Sequence, residues 1–511
     1  MELVCPAGNI EKLEYAYNYG ADTAYIGLKR FSLRVKADNF YDDEYKKIVE
    51  LKKKFPKKRL FCALNIAFHN NDLSLFMKNL DYFHHYPIDA FIVQDLGLVR
   101  LLQSEFPGTH LHLSTQASCM NKEAVKMYRD LGFKRVVLGR EVSLSEIREI
   151  KDAVPDMELE CFAHGAMCIA YSGRCLMSAY LTGRSAQSGF CSHSCRWDYD
   201  LLTNGNIAIK DGRLSRLNKE GGTISAEEAK AIAESGILAL EEHQRRGQFF
   251  PVFEGDNFTA LLSSKDLCMI DHLKDMKDAG VDAIKIEGRM KSVYYVAMVT
   301  RAYRKALDAL DGTISAEAAA PFIASLQDVP HRECTTGFYY TRADADKTTV
   351  GASDSPYLLA ATIERSYSPE ETEQILGEGE RRLAEREQEL SLMHPSARAA
   401  VLRDIEKNPE KEIRTISRKD GWHIYKLQAL NKIDEGTDIE LVSPDVLGTN
   451  LSGSEYEFVN PKTGERRSWV NADHDCAIYT SAHIQDGTLV RMKDGAYVPG
   501  KIRTTGREKK A

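Results

Sequence analysis

The chain has 511 residues, a formal net charge of −7 at pH 7, and 43% hydrophobic residues. This length predicts two or three globular domains, and the slight acidity excludes binding of nucleic acid through bulk charge, although a local basic patch can still bind it. The sequence contains no apolar run of membrane-spanning length, and its first residues lead directly into a predicted strand. We therefore expect a cytoplasmic protein that has no membrane partner.

The first part of the chain alternates short apolar strands with amphipathic helices. Strands are predicted at residues 2–5, 23–27, 59–66, 90–94, 110–114, 135–139, 157–162 and 283–287. Eight such strands predict an α/β fold, a parallel (β/α)8 TIM-like barrel. An open doubly wound sheet is the alternative, but no glycine-rich dinucleotide-binding motif follows a strand. We predict the barrel over residues 1–345, with an insertion at about 198–262 that contains several glycine turns.

Beyond the barrel the sequence pattern changes twice. Residues 346–415 are rich in Glu, Arg, Ala and Leu, which predicts a charged helical connector that breaks at Pro395. Residues 416–503 contain short alternating strands separated by Gly, Asn and Asp turns, which predict a small antiparallel β-barrel domain. The basic residues 504–511 are predicted to form a loose tail.

Apart from Cys161, which lies in the strand before them, four cysteines are concentrated between Glu160 and Trp197, with the spacing C-x6-C-x15-C-x3-C. They are Cys168, Cys175, Cys191 and Cys195. Four thiolates are the ligand set of a zinc ion or an iron–sulfur cluster, and disulfides are not expected without a secretory signal. Structural zinc sites use closely spaced pairs, and only Cys191 and Cys195 come near that spacing. The long gaps favour an iron–sulfur cluster, with zinc or four unligated cysteines as the alternatives.

The residues around these cysteines resemble the signature of peptidase family U32. The matching positions are Glu160, Phe162, Gly165, Ala166, Met167, Cys168, Gly173, Cys175, Met177 and Ser178. Within the family, the chain is most similar to the tRNA hydroxylation branch, which makes 5-hydroxyuridine at the wobble position. The features of this closer match are Cys191–Trp197, Leu33–Val35 and Ser264–Leu267. The ubiquinone-hydroxylation branch differs, because its fourth cysteine lies well beyond the third.

The resemblance covers residues 1–345 well and the last hundred residues more weakly. It implies that Cys168, Cys175, Cys191 and Cys195 bind a [4Fe-4S] cluster. It also implies that the partners are tRNA and a carboxylate-bearing small molecule such as prephenate.

Polar residues follow the ends of several predicted strands, where the active sites of TIM barrels lie. Arginine binds carboxylates bidentately, so arginines at these ends suit a dicarboxylate. We expect substrate-binding side chains at Arg34, Asn65, Gln116, Arg140, Arg174 and Arg289, and catalytic candidates at His164 and Glu287. A single polar residue at a strand end more often caps a loop. For Arg289, the alternative to substrate binding is a structural ion pair with Glu287.

Two other functions stay open at this stage. The first is a collagenase-type peptidase, although the sequence contains neither H-E-x-x-H nor G-x-S-x-G. The second is a non-catalytic iron–sulfur scaffold that works with a partner protein or as a homo-oligomer. Basic segments at Lys52–Arg59 and Arg466–Trp469 are candidate tRNA contacts, although a charge run of this kind is usually a solvated face.

Overall fold

The structure is a computed structural model. It describes residues 1–28, 31–33, 39–168, 170, 172, 174–175, 178, 185–188, 190–191, 264–341, 355–408 and 412–495, and only the backbone of the strands between 202 and 260 and at 352–353 and 502–503. Arg34, Cys195 and the predicted tail lie outside the described residues. The chain divides into two compact units, residues 1–354 with 498–511 and residues 355–497.

The first unit contains the predicted closed barrel of eight parallel strands. These strands, labelled β1 to β8, are Glu2–Pro6, Thr23–Ile26, Arg59–Leu64, Ala90–Val93, His110–Leu113, Arg135–Val137, Glu158–Ala166 and Ala283–Ile286. Each strand pairs with its neighbour in parallel, and β8 closes the barrel by pairing with both β1 and β7. The sequence prediction of this fold is confirmed, because all eight predicted strands are present.

Helices connect the strands of the barrel. They are Ile10–Asn18, Tyr45–Lys54, Asn70–Lys78, Leu80–His84, Val99–Glu105, Lys122–Asp130, Leu144–Ala153, Leu273–Asp278, Val293–Leu310 and Ala316–Ala324. Several begin at a residue whose side chain accepts a hydrogen bond from the first turn, such as Asn121 and Ser143. Among the described helices, none is both long enough and apolar enough to cross a bilayer.

The segment between β7 and β8 interrupts the parallel pattern. Its described strands form two antiparallel sheets: Leu202–Thr203, Ile207–Lys210 and Arg213–Arg216 in one, and Leu238–Glu241, Phe249–Gly255 and Phe258–Ala260 in the other. The following strand, Asp266–Cys268, pairs antiparallel with the end of β7 and parallel with Cys334–Thr335.

The second unit is a curled antiparallel sheet. Its strands, in spatial order, are Thr449–Gly453, Gly436–Val442, Leu489–Lys493, Tyr357–Ser366, His423–Ala429, Cys476–Thr480, Tyr456–Val459 and Arg466–Arg467. The short strands Ile433–Asp434 and Trp469–Val470 pair separately, and the helices are Pro369–Leu392 and Pro395–Lys407. Tyr357–Ser366 lies inside the predicted helical connector, but its buried apolar centre pairs with two strands of the sheet.

Candidate active site at the barrel mouth

A cavity that opens to solvent lies at the C-terminal ends of the barrel strands. Five of the predicted site residues line it: Asn65, Gln116, Arg140, Glu287 and Arg289. Apolar and aromatic side chains complete the wall, among them Tyr25, Ile92, Val137 and Phe162. The cavity therefore suits a small molecule with an apolar body and anionic groups.

Below the cavity, a buried network of charged side chains fills the barrel. Lys285, which lines the cavity, places its Nζ 2.7 Å from Glu160 Oε1, and Arg135 Nη1 donates to Glu160 Oε2 at 2.9 Å. Arg135 also binds Glu158 and Glu2. Arg135, Glu160 and Lys285 are buried, with 0% of the surface of Glu160 accessible, whereas Glu158 is partly exposed. Since buried charges are stable only when paired, this network holds Lys285 in a fixed position.

The pairing fixes the protonation states of the network. Burial alone would raise the pKa of Glu160, but Lys285 and Arg135 outweigh burial and lower it, so Glu160 is ionised. Burial disfavours the charge of Arg135, yet its carboxylate neighbours raise its pKa. His112 lies on the neighbouring strand, where burial and the charges of Arg135 and Lys285 lower its pKa well below the usual value. It is therefore neutral at pH 7.

Arg140 is held over an aromatic ring at the wall of the cavity. Its guanidinium carbon lies 3.7 Å from the centre of the Phe162 ring, which is a cation–π distance. On the opposite side, Lys285 Nζ lies 4.4 Å from the centre of the Tyr25 ring. Stacked cations of this kind keep their N–H donors in defined directions, so Arg140 is preorganised for an anion.

Arg289 reaches the cavity from the loop after β8. Its side chain is only 3% exposed, and Nη2 donates to Ser32 Oγ at 3.0 Å. A Cβ atom at Gly27 would lie 1.9 Å from Arg289 Nη1, so glycine at position 27 is what allows the guanidinium to enter. This close packing places a cation beside Leu33, the residue before Arg34.

Amide and hydroxyl groups form the remaining polar wall. Asn65 Oδ1 accepts a hydrogen bond from the Leu33 N–H at 3.2 Å, and Asn65 Nδ2 donates to Ser114 Oγ at 3.4 Å. Ser114 Oγ in turn accepts from the Gln116 N–H. Ser114 and Gln116 follow β5, so the segments after β2, β3 and β5 are connected across this side of the cavity.

The cysteine-rich loop is fastened to the same mouth. Ser172 donates from its backbone N–H to Glu141 at 2.8 Å, and its Oγ accepts from the Arg140 N–H at 3.3 Å. Ser118 donates from Oγ to the Ser172 carbonyl, and Arg174 Nε donates to Ser118 Oγ at 3.4 Å. The loop therefore lies beside the ends of β5 and β6, but the exposed Arg174 does not line the cavity.

The described cysteines of the loop differ from most others in their accessibility. Cys168 is exposed, and Cys175 and Cys191 are half-buried, whereas burial raises the pKa of Cys5, Cys62 and Cys119 to about 12. Buried thiols of that kind are shielded from solvent and protonated in the metal-free protein, so the loop cysteines are the accessible candidate donors. Among the described residues, no three Cys, His, Asp or Glu side chains converge on a metal position. The fourth predicted ligand, Cys195, is not described.

His164 points away from the cavity. Its Nδ1 lies 3.4 Å from the Tyr303 hydroxyl, and its ring contacts Tyr295, so it faces the helix Val293–Leu310. The register between β7 and β8 shifts next to Ile286, which is paired with His164. Because a single-residue shift reverses the direction of a side chain, it accounts for His164 facing the helix while Phe162, two residues earlier on β7, lines the cavity.

Residues 8–349 match the family described as peptidase family U32. The chain belongs to this family. Three relatives of this U32 protein carry names that describe different functions. The tRNA hydroxylation protein P of Escherichia coli (strain K12) is 35% identical over 446 residues, covering 83% of this chain and 93% of that protein.

The second relative is the 23S rRNA 5-hydroxycytidine C2501 synthase of the same bacterium. It is 32% identical over 370 residues, which cover 71% of this chain and 48% of that protein. The third is a collagenase of Porphyromonas gingivalis, 29% identical over 350 residues, with 66% of this chain and 73% of that protein covered.

The charged network of this U32 protein was not predicted. Lys285, Glu160 and Arg135 each lie within an apolar barrel strand, and a charged residue in such a strand is seldom buried unless it is paired. Three of them, with opposite signs, were therefore a signal for an ionic layer inside the barrel. Their partners are 25 and 125 residues apart in the sequence, so only the closed sheet reveals the pairing.

Proposed function

We propose that this U32 protein is required for the 5-hydroxylation of the wobble uridine in tRNA. Two of the relatives carry names that specify hydroxylation of RNA, and one of these specifies position 5 of a pyrimidine. The observation that carries the proposal is the cavity with Arg140 and Arg289 next to the docked cysteine loop. A small anion and a cysteine-bound group would meet there.

The small molecule in this proposal is a dicarboxylate of the prephenate type. Arg135, Lys285 and Arg59 are bound by Glu160, Glu158 and Glu2, so the charges of the lower network balance. Arg140 and Arg289 lie above that network and are the cations best placed for ligand carboxylates. Tyr25 and Phe162 would contact the ring of such a ligand.

The proposed cofactor is a [4Fe-4S] cluster on Cys168, Cys175, Cys191 and Cys195. Such a cluster supplies one-electron chemistry or a Lewis-acidic iron. Within this chain, Ser172, Glu141 and Ser118 fix the loop that carries the first two of these cysteines. Anaerobically purified protein should contain about four iron and four sulfide per chain. Stoichiometric zinc without sulfide would contradict this cofactor.

The substrate base fits the position of the cavity. A wobble base is unpaired, so it can be turned into an open barrel mouth without melting a helix. Hydroxylation at C5 is a two-electron oxidation: when an oxygen donor delivers its oxygen to C5 and takes up the two electrons, the hydrogen on C5 leaves as a proton. Glu287 is the carboxylate among the residues lining the cavity, and we assign it the role of proton acceptor.

Mass spectrometry of tRNA nucleosides tests this function. A strain that lacks this protein and any second homologue should lose 5-hydroxyuridine and the nucleosides derived from it. The wild-type gene should restore them, whereas Arg140→Ala and Cys191→Ala should not, with tRNA abundance unchanged. Lys274→Ala, an exposed change on the same unit and outside the basic segments, is the matched control and should restore them fully. Normal 5-hydroxyuridine in the deletion strain would contradict the proposal.

A peptidase function is the second candidate, because one relative is named a collagenase. Peptide hydrolysis needs a paired nucleophile and base, or a metal-bound water. No histidine is among the residues that line the cavity. Purified protein that cleaves gelatin, and loses this activity with Arg140→Ala, would favour the peptidase.

A further inference from the structure

A second group of reactive side chains lies outside the barrel cavity. The segment Ser264–Leu267 carries part of the sequence resemblance, but it does not line the cavity. In the structure it fastens two short strands together. The Asp266 N–H donates to the Glu333 carbonyl at 2.9 Å, Asp266 Oδ2 accepts from the Arg332 N–H at 3.2 Å, and Lys265 Nζ lies 3.1 Å from Glu333.

These contacts bring two cysteines together. Asp266 is paired with Cys334 in the parallel ladder, so Cys268 and Cys334 lie two positions apart on neighbouring strands and on one face of the sheet. On the other side, Cys268 is directly paired with His164 of β7. Cys268 is half-buried and Cys334 is exposed. Cys268 therefore has a thiol on one neighbouring strand and an imidazole on the other.

Tyr303 orients the imidazole. Its hydroxyl donates to the Ala163 carbonyl at 2.8 Å, accepts from the Met269 N–H at 3.3 Å, and lies 3.4 Å from His164 Nδ1. Because the tyrosine proton is already donated, we assign the proton of this contact to His164 Nδ1. The Nε2 atom is then the acceptor of the ring. This is the arrangement of a thiol, a base and a group that orients the base.

The shifts in the pKa values of Cys268 and Cys334 agree with their proximity to each other and to His164. The hydrogen bond with Cys334, together with His164, lowers the pKa of the Cys268 thiol despite its burial, and the same contact raises the pKa of Cys334. The other ionisable groups that face the pair are Asp266, Lys265, Tyr295, Tyr303 and His331, whose Nδ1 lies 3.9 Å from Cys334 Sγ. A low-pKa thiolate next to a second, accessible thiol is the usual composition of a redox-sensing pair.

We propose that Cys268 and Cys334 form a peroxide-sensitive pair that closes reversibly into a disulfide. The Cys268 thiolate attacks hydrogen peroxide, the O–O bond breaks, and with one proton the products are Cys268 sulfenic acid and water. The Cys334 thiol then attacks the sulfenic sulfur, an S–S bond forms, and a second water leaves. The two sulfurs lose two electrons in total, and peroxide accepts them.

Closure of this bond requires a small movement. Diagonal neighbours in a sheet have Cα atoms roughly 7–8 Å apart, whereas disulfides need about 4.4–6.8 Å. Cys334 begins a strand of only two residues, so it is the partner that can move.

Peptide mapping of the full-length, anaerobically purified protein tests the pair. Trypsin releases residues 266–274 with Cys268 as their single cysteine, and residues 333–342 with Cys334 as theirs. After one equivalent of hydrogen peroxide and alkylation of free thiols, we expect these two peptides to be linked. Dithiothreitol should separate them.

Two variants make the test specific. Cys334→Ser should abolish the linked peptide and leave a sulfenic acid at Cys268 that dimedone traps. Cys119→Ser, which removes a buried cysteine elsewhere in the barrel, is the matched control and should leave the linked peptide unchanged. If Cys268 stays fully alkylated after peroxide treatment of the wild-type protein, the proposal is wrong. The readout does not depend on tRNA hydroxylation.

Discussion

The interiors of the two units differ in how charged their buried side chains are. Inside the barrel, below the cavity, Arg135, Glu160 and Lys285 are buried and paired with one another. The core of the curled sheet is formed by side chains such as Phe458, Ile478 and Val490. Apolar burial stabilises a fold at about 25 cal/mol per Å², whereas a buried ion pair often adds nothing over a hydrophobic replacement. The buried charges of the barrel therefore add little net stability over an apolar core, although removing one partner of a pair is costly.

The largest expected effect comes from breaking the ionic layer. Glu160→Ala leaves Lys285 and Arg135 buried without their shared carboxylate, which should destabilise the barrel by about 3–5 kcal/mol. Urea unfolding of the full chain, followed by circular dichroism, measures this change. Glu160→Gln keeps the shape and the hydrogen-bond acceptor and should cost less. Equal stability of wild type and Glu160→Ala would mean that water, and not Glu160, satisfies the two cations.

A smaller effect is expected in the apolar interior. Ile478 is fully buried, so Ile478→Val removes one methylene group and should cost about 0.5–1.5 kcal/mol. Because this core contains no site residue, the variant should keep the wild-type level of tRNA hydroxylation in a complemented deletion strain. Loss of hydroxylation together with a small loss of stability would show that the second unit acts in the reaction.

The smallest effect concerns the basic run before β3. Lys52, Lys53 and Lys54 are paired with Asp89, Glu50 and Glu14. Exposed pairs of this kind contribute about 0.2–1 kcal/mol, so Lys53→Ala should change the unfolding midpoint little. Because its charge is already compensated, we also expect little change in the salt dependence of tRNA binding, measured by filter binding. If the slope of log binding constant against log salt concentration falls by about one, Lys53 contacts a phosphate.

The sequence predicted those parts of the barrel that depend on local pattern. Apolar strands alternating with helices identified all eight strands, and position at a strand end identified Asn65, Gln116, Arg140, Glu287 and Arg289 as cavity residues. Arg34 and Cys195 lie outside the described residues, so their roles stay predictions.

The parts that were missed depend on long-range pairing. The Glu160–Lys285 pair forms only when β7 meets β8, and the direction of His164 depends on a register shift between the same strands. Tyr357–Ser366 was read as part of a connector because its partners, His423–Ala429 and Leu489–Lys493, follow much later in the chain. No local pattern contains this information.

The thermal shift caused by prephenate tests most directly whether the charged barrel interior is a binding site. A ligand that binds only the folded protein raises its melting temperature. We predict a rise for the wild-type protein and for Ile478→Val, and loss of this rise for Arg140→Ala, whose own melting temperature without ligand should be close to that of the wild type. An equal rise for wild type and Arg140→Ala, or no rise for the wild type at millimolar prephenate, would contradict binding of prephenate in the barrel cavity.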